Sequence, residues 1–214
     1  MRRVVSEVPT VDDLRDFAAL QRFARQIDTT VSLDYWKSIP YFASFMEGYR
    51  PGERVRHEIE NGTATTELNS AIARLRSIDA DAVRGYRPVD YANARLRAFA
   101  GETVERGWWR LLWVSPSLPY LVPGRVYAPF SDGAVTKRLF FSAWSGVPTS
   151  VASLLSYEAE RRMVSASALT ENTAEARRAA SSRLDYVVRE GRTASMSTLA
   201  LFWPHRDWRS WAIR

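Results

Sequence analysis

Apolar side chains recur at helical spacing through most of the first hundred residues. Leu14, Phe17, Ala18, Leu20, Phe23, Ala24 and Ile27 fall three or four positions apart, one face of a 3.6-residue repeat. Thr10, with Asp13 three residues on, supplies a capping oxygen for the start of that helix. A second helical stretch covers residues 32–46 through Leu33, Trp36, Ile39, Tyr41, Phe42 and Phe45. Pro40 divides it, because proline has no N–H to give to a helix. Gly48 and Pro51-Gly52 read as a stop, and Asn61-Gly62 closes a short helix over residues 53–60. Two further helices are predicted over residues 67–78 and 90–106, the latter capped by Asp90.

The pattern changes at Gly107. Residues 107–129 carry Trp108, Trp109, Trp113, Tyr120 and Tyr127 among Pro116, Pro119, Pro123 and Pro129, which predicts an extended aromatic connector. Asp132-Gly133 is a turn. Leu139-Phe140-Phe141, bounded by small residues, suits a short buried strand. Pro148 opens a helix over residues 149–164, with Val151, Leu154 and Leu155 on its apolar face. A polar helix over 173–189, ended by Gly191, and a second strand over 195–202 complete the reading. The fold class expected is mainly α with a C-terminal α/β part. One or two strands do not make a stable parallel sheet, so the α/β part reads as incomplete.

Composition narrows the possibilities. The chain has 214 residues and is 46% apolar, enough for one core or a core with a satellite. With no cysteine, it has neither a disulfide framework nor a thiolate metal site. No apolar run approaches bilayer length and the first residues lack a signal-peptide core, so a cytoplasmic location and no membrane partner are expected. The net charge is +6, and Lys37 and Lys137 are the only lysines. Such arginine bias reflects either codon usage or phosphate binding; the arginines are spread along the chain rather than clustered.

Hydrolytic and metal chemistry have little to stand on. His57 and His205 lie in unrelated segments, His57 has no second ligand at i+4, and no Gly-x-Ser-x-Gly run occurs. Trp108, Trp109 and Trp113 are either a stacking platform for bases or a means of pinning the connector, and their spacing favours packing. Arg161-Arg162 and Arg177-Arg178 read as solvated helix faces.

The run Thr136-Lys137-Arg138-Leu139-Phe140-Phe141-Ser142-Ala143-Trp144 resembles the opening of the second RecA-like lobe in Swi/Snf-type superfamily-two helicases. There a basic residue precedes an apolar strand ending in Phe-Ser and an aromatic residue, and a helix follows. Ser156-Tyr157-Glu158-Ala159-Glu160-Arg161-Arg162 and Asp34-Tyr35-Trp36-Lys37-Ser38-Ile39-Pro40-Tyr41 also look like a bacterial branch of these ATPases. The resemblance covers residues 1–204. It implies an internal fragment of such a protein: a helical inter-lobe region at 1–106, a connector at 107–135 and the incomplete start of a RecA-like second lobe at 136–204. By the same resemblance Lys137, Ser142 and Trp144 would face nucleic acid, DNA or RNA bound weakly by the fragment alone.

The parent would use ATP and magnesium, held largely by lobes outside this chain. The chain contains no Gly-x-x-x-x-Gly-Lys-Ser/Thr loop, no Asp-Glu pair after an apolar strand and no Gln-x-x-Gly-Arg run, so no cofactor and no catalytic residue is assigned within it. A free-standing helical protein-interaction module is the competing reading. Residues 205–214, a Trp/Arg mixture after a patterned apolar stretch, read as a frameshifted tail or as an aromatic tail that packs back on the domain.

Overall fold

The computed structural model describes residues 8–46, 48–111, 125–130, 138–165, 167, 169–181, 188–189 and 192–193. These residues are mainly helical. Helix α1 spans Val11–Gln26, with Thr10 and Asp13 forming a reciprocal capping box. Leu20, Phe23, Ala24 and Ile27 turn inward, as the spacing requires, while Leu14 stays exposed. Helix α2, Leu33–Ser38, starts at the Ser32 cap. Past Pro40 the chain makes a single 3-10 turn, Phe42–Ser44.

Pro51-Gly52 is not a stop. Both residues lie in the first turn of α3, Arg50–Glu60, where the missing proline N–H has no helical partner to lose. Gly52 is required there, since a Cβ would stand 2.3 Å from the Met46 carbonyl oxygen. The helix predicted over 67–78 ends early, as α4, Thr66–Ala73, and a further helix that the sequence reading did not include, α5, Ala80–Arg84, follows it. Asp79 separates them by accepting from the Asp81 and Ala82 N–H groups, which begins a new helix. Helix α6 spans Ala94–Glu102 and its cap is Asn93, not Asp90. Asp90 instead accepts from the Ala92 N–H in a local turn.

In the connector, Trp108–Leu111 and Arg125–Phe130 form 3-10 turns, and the rest, including the Asp132-Gly133 turn, lies outside the described residues. Helix α7, Gly146–Val164, starts two residues before the predicted proline and ends as expected. Helix α8 covers Ala174–Ser181. The predicted helix does not reach residue 189: Val188–Arg189 (β1) pairs antiparallel with Arg192–Thr193 (β2). Among the described residues this is the one β-ladder. The predicted strand over 195–202 and the tail over 205–214 lie outside them.

One core joins α1, α2, α3, α4, α6 and α7. Helix α1 packs on α4, and α2 on α6. Phe23 meets the edge of Phe42, and Phe17 lies against Trp36 with ring centres 4.9 Å apart. Val147, Val151 and Leu154 of α7 enter the same cluster. The base of α7 is held by Tyr49, whose hydroxyl meets the Ser145 hydroxyl at 2.8 Å and accepts from the Gly146 N–H. A side chain on residue 146 would collide with the Tyr49 ring, which explains the glycine. Farther along, Tyr157 donates to the Arg87 carbonyl and its ring stacks on Tyr86.

Residues 138–142 correct the expectation of a buried strand. They have no ladder partner among the described residues, and Leu139 and Phe141 are 80% and 85% exposed. Phe140 is less exposed and meets Phe99 edge-on at 6.3 Å. All three apolar side chains are thus open to solvent, where a half-buried strand would cover every second one.

Candidate functional site

The segment singled out from sequence borders a cleft. Residues 140–144, α2, α6 and the first turns of α7 enclose about 330 Å³, with Leu96, Phe99, Phe140, Trp144, Val147 and Val151 as its apolar walls. Ser38, Asn93, Arg95 and Ser142 supply its polar atoms. The structure thus brings Ser142 and Trp144 to one place. Lys137 lies outside the described residues.

Both placed residues have local structural work. The Ser142 hydroxyl accepts from the Trp144 N–H at 3.1 Å, fixing the turn into α7. The Trp144 ring meets Tyr35 edge-on at 5.4 Å. Tyr35 is buried and its hydroxyl has no hydrogen-bond partner among the described residues; burial, with the neighbouring Tyr49, pushes its pKa above the ordinary phenol value.

The floor of the cleft is set by a polar lock that periodicity does not reveal. Tyr41 donates to the Asp90 carbonyl at 2.8 Å, and Arg76 bonds the Asp90 carboxylate at 2.6 Å and the Ala92 carbonyl at 3.3 Å. Ala92 is held at φ 62°, a left-handed conformation that costs an L-residue roughly 1–2 kcal/mol. That bend delivers Asn93 to the start of α6, where its Oδ1 accepts from the Leu96 N–H at 2.7 Å. Asn93 is 5% exposed and its Nδ2 has no partner among the described residues. Sequence reasoning missed Asn93 because Asp90 is an equally good cap by residue type. The signal available was the second capping residue, three positions on.

The arginines and tryptophans are largely committed to one another and to carboxylates. Arg97 grips the buried Asp13 with two N–H groups, at 3.1 and 2.5 Å. Arg161 and Arg162 both bond Glu158, which is itself buried, so this pair is not a merely solvated face. Arg177 reaches Glu160 at 3.0 Å, and Arg138 reaches Glu102 at 2.9 Å. Arg138 also lies over the Trp108 ring at 5.5 Å, and Arg110 over Trp109 at 4.6 Å. The packing use of Trp108 and Trp109 is the one the geometry favours. Trp113 lies outside the described residues.

No group of three or more His, Asp or Glu side chains among the described residues is arranged to hold a metal ion. His57 sits beside Asn61 at one turn's distance, and His205 lies outside the described residues. Among the described residues no helix is long and apolar enough to cross a membrane. Comparison with protein-family models, with curated proteins and with solved structures returns no match.

Proposed function

We propose that this chain is the inter-lobe part of a cytoplasmic, ATP-dependent nucleic-acid translocase of the Swi/Snf type, inactive in hydrolysis by itself. In this reading residues 138–164 correspond to the first strand and first helix of a second RecA-like lobe, with the helix packed into the helical body. ATP and magnesium are held by the rest of that protein, and contact with DNA or RNA is weak in this chain alone.

One observation carries the reading. Residues 138–142 lead directly into α7 and leave Leu139 and Phe141 80% and 85% exposed. Large apolar side chains so exposed on an unpaired extended segment mark a surface that another element covers. In an α/β lobe the covering element is the remainder of the sheet and its helices.

The test is the gene's surroundings together with an assay. Coding sequence continuous with this chain should hold a phosphate-binding loop and magnesium carboxylates upstream, and a Gln-x-x-Gly-Arg run downstream. The purified chain should show no nucleic-acid-stimulated ATP hydrolysis. Unrelated genes on both sides would overturn the proposal and leave a free-standing helical interaction module, with the same apolar edge as its contact surface. Hydrolysis lost on substituting a residue of this chain would also overturn it.

A further inference from the structure

Helix α8 is attached to the body differently from α1 and α7. None of residues 174–179 is buried, and none belongs to the apolar core that Val147, Val151 and Leu154 of α7 enter. The contacts that seat it are polar. The Asn172 N–H donates to the Arg84 carbonyl at 2.7 Å, and the Asn172 Nδ2 donates to the Val83 carbonyl at 3.3 Å. Arg177 pairs with Glu160 of α7 at 3.0 Å and also donates to the Asn172 Oδ1, so the two anchors hold each other. Tyr86 joins the group, its hydroxyl donating to Glu160 at 2.8 Å.

The seat has its own support. The Tyr157 hydroxyl of α7 donates to the Arg87 carbonyl at 2.7 Å, and the Tyr157 ring stacks on Tyr86. The end of α5 is therefore tied to α7 without help from α8. The strap itself lacks such support. Arg177 and Glu160 are 51% and 33% exposed, and an ion pair so open to water is weak and screened by salt. Eight residues are also too few for a helix to persist alone, since isolated helices are marginal below about 12–15 residues. Undocking and melting of α8 are then one step, and that step strips little apolar surface from the core.

We propose that α8 is a releasable strap, which leaves the α5–α7 seat as a unit while the body stays folded. Its release uncovers the Glu160 carboxylate and the Val83 and Arg84 carbonyls, acceptors that the strap's own guanidinium and amide otherwise fill. The device does not depend on the translocase reading.

Hydrogen exchange of the full chain tests this, read by mass spectrometry on peptides from α8 and from the first turns of α7. Peptides from α8 should be protected relative to an unstructured chain, yet exchange at least about a hundredfold faster than those from α7. Glu160→Gln keeps an oxygen for the Tyr86 hydroxyl and removes the charge; it should speed α8 exchange about three- to fivefold and leave α7 unchanged. Arg177→Met should do the same. Raising the salt concentration should speed α8 exchange in the parent and much less in Glu160→Gln, because the screened pair is already gone. Exchange of α8 as slow as that of α7, or as fast as in an unstructured chain, would overturn the proposal. So would α8 exchange that neither variant alters, a variant that speeds α7 equally, or a salt response that Glu160→Gln retains in full.

Discussion

The junction of α1 with α6 buries a carboxylate, whereas residues 138–142 expose two large apolar side chains; each reverses the usual relation to solvent. At the junction the reversal is compensated. Asp13 is 1% exposed, yet it receives two N–H groups from Arg97, one from the Thr10 backbone and a more distant charge from Arg76 at 3.9 Å. At the edge nothing among the described residues compensates: Leu139 and Phe141 stand in water beside Phe140, which alone finds a ring to meet. A buried charge is retained only where its partners are built in, so the junction is complete within this chain. An exposed apolar pair costs the isolated chain little and is a surface for something else.

The largest expected effect tests the first half of that contrast. Asp13→Ala should lower stability by about 3–5 kcal/mol, because it removes a buried carboxylate that Arg97 and the Thr10 backbone N–H both hold. Urea unfolding would read this as a lower midpoint at unchanged slope. A loss under about 1 kcal/mol, the worth of an exposed ion pair, would mean that the junction is open to water.

Acid should reveal the same pair. Burial pushes the Asp13 pKa up, but the Arg97 and Thr10 hydrogen bonds outweigh it and hold it below its ordinary 3.8. Glu158 likewise is raised by burial and brought below its ordinary 4.5 by Arg161 and Arg162. Each group therefore binds its proton more weakly folded than unfolded. The stability each contributes is full above its unfolded pKa and is lost as pH falls through the folded value. The urea midpoint should drop as pH falls below 4.5, and Asp13→Asn should flatten that drop. An acid limb as steep in Asp13→Asn as in the parent would assign the loss to other carboxylates.

The smallest effect belongs to the edge. Phe141→Ser should change stability by no more than about 0.5 kcal/mol, as for surface substitutions that touch no packed feature. The same urea measurement reads it. A loss near that of Asp13→Ala would show that the segment is covered within this chain, and the contrast would collapse.

Legibility from sequence followed distance along the chain. The capping box of Thr10 and Asp13, the Ser32 cap, the inward face of α1 and the body of α7 were all readable, because each depends on residues within a turn or two. Boundaries failed where two capping residues compete, as with Asp90 and Asn93, or where no glycine or proline marks the stop, as at the end of α4, and the short helix capped by Asp79 went unread. Ser142 and Trp144 were found as candidates, but the geometry gives each a structural partner as well. Asn93 and Arg95 were passed over. A residue becomes a cleft floor only when a distant helix, here α7, closes over it.

By itself the sequence determined a mainly helical chain, helices that begin near Thr10 and Ser32, and an apolar run ahead of α7. Those features rest on backbone bonding and side-chain period, which are local. Tertiary structure alone decided that Asp13 is held by an arginine 84 positions away, that Tyr41 reaches across to Asp90, and that the Asn93 Nδ2 is buried without a partner among the described residues. It also decided that Leu139 and Phe141 face water. Which polar groups find partners depends on what the folded chain brings alongside them, and spacing along the chain carries no record of that.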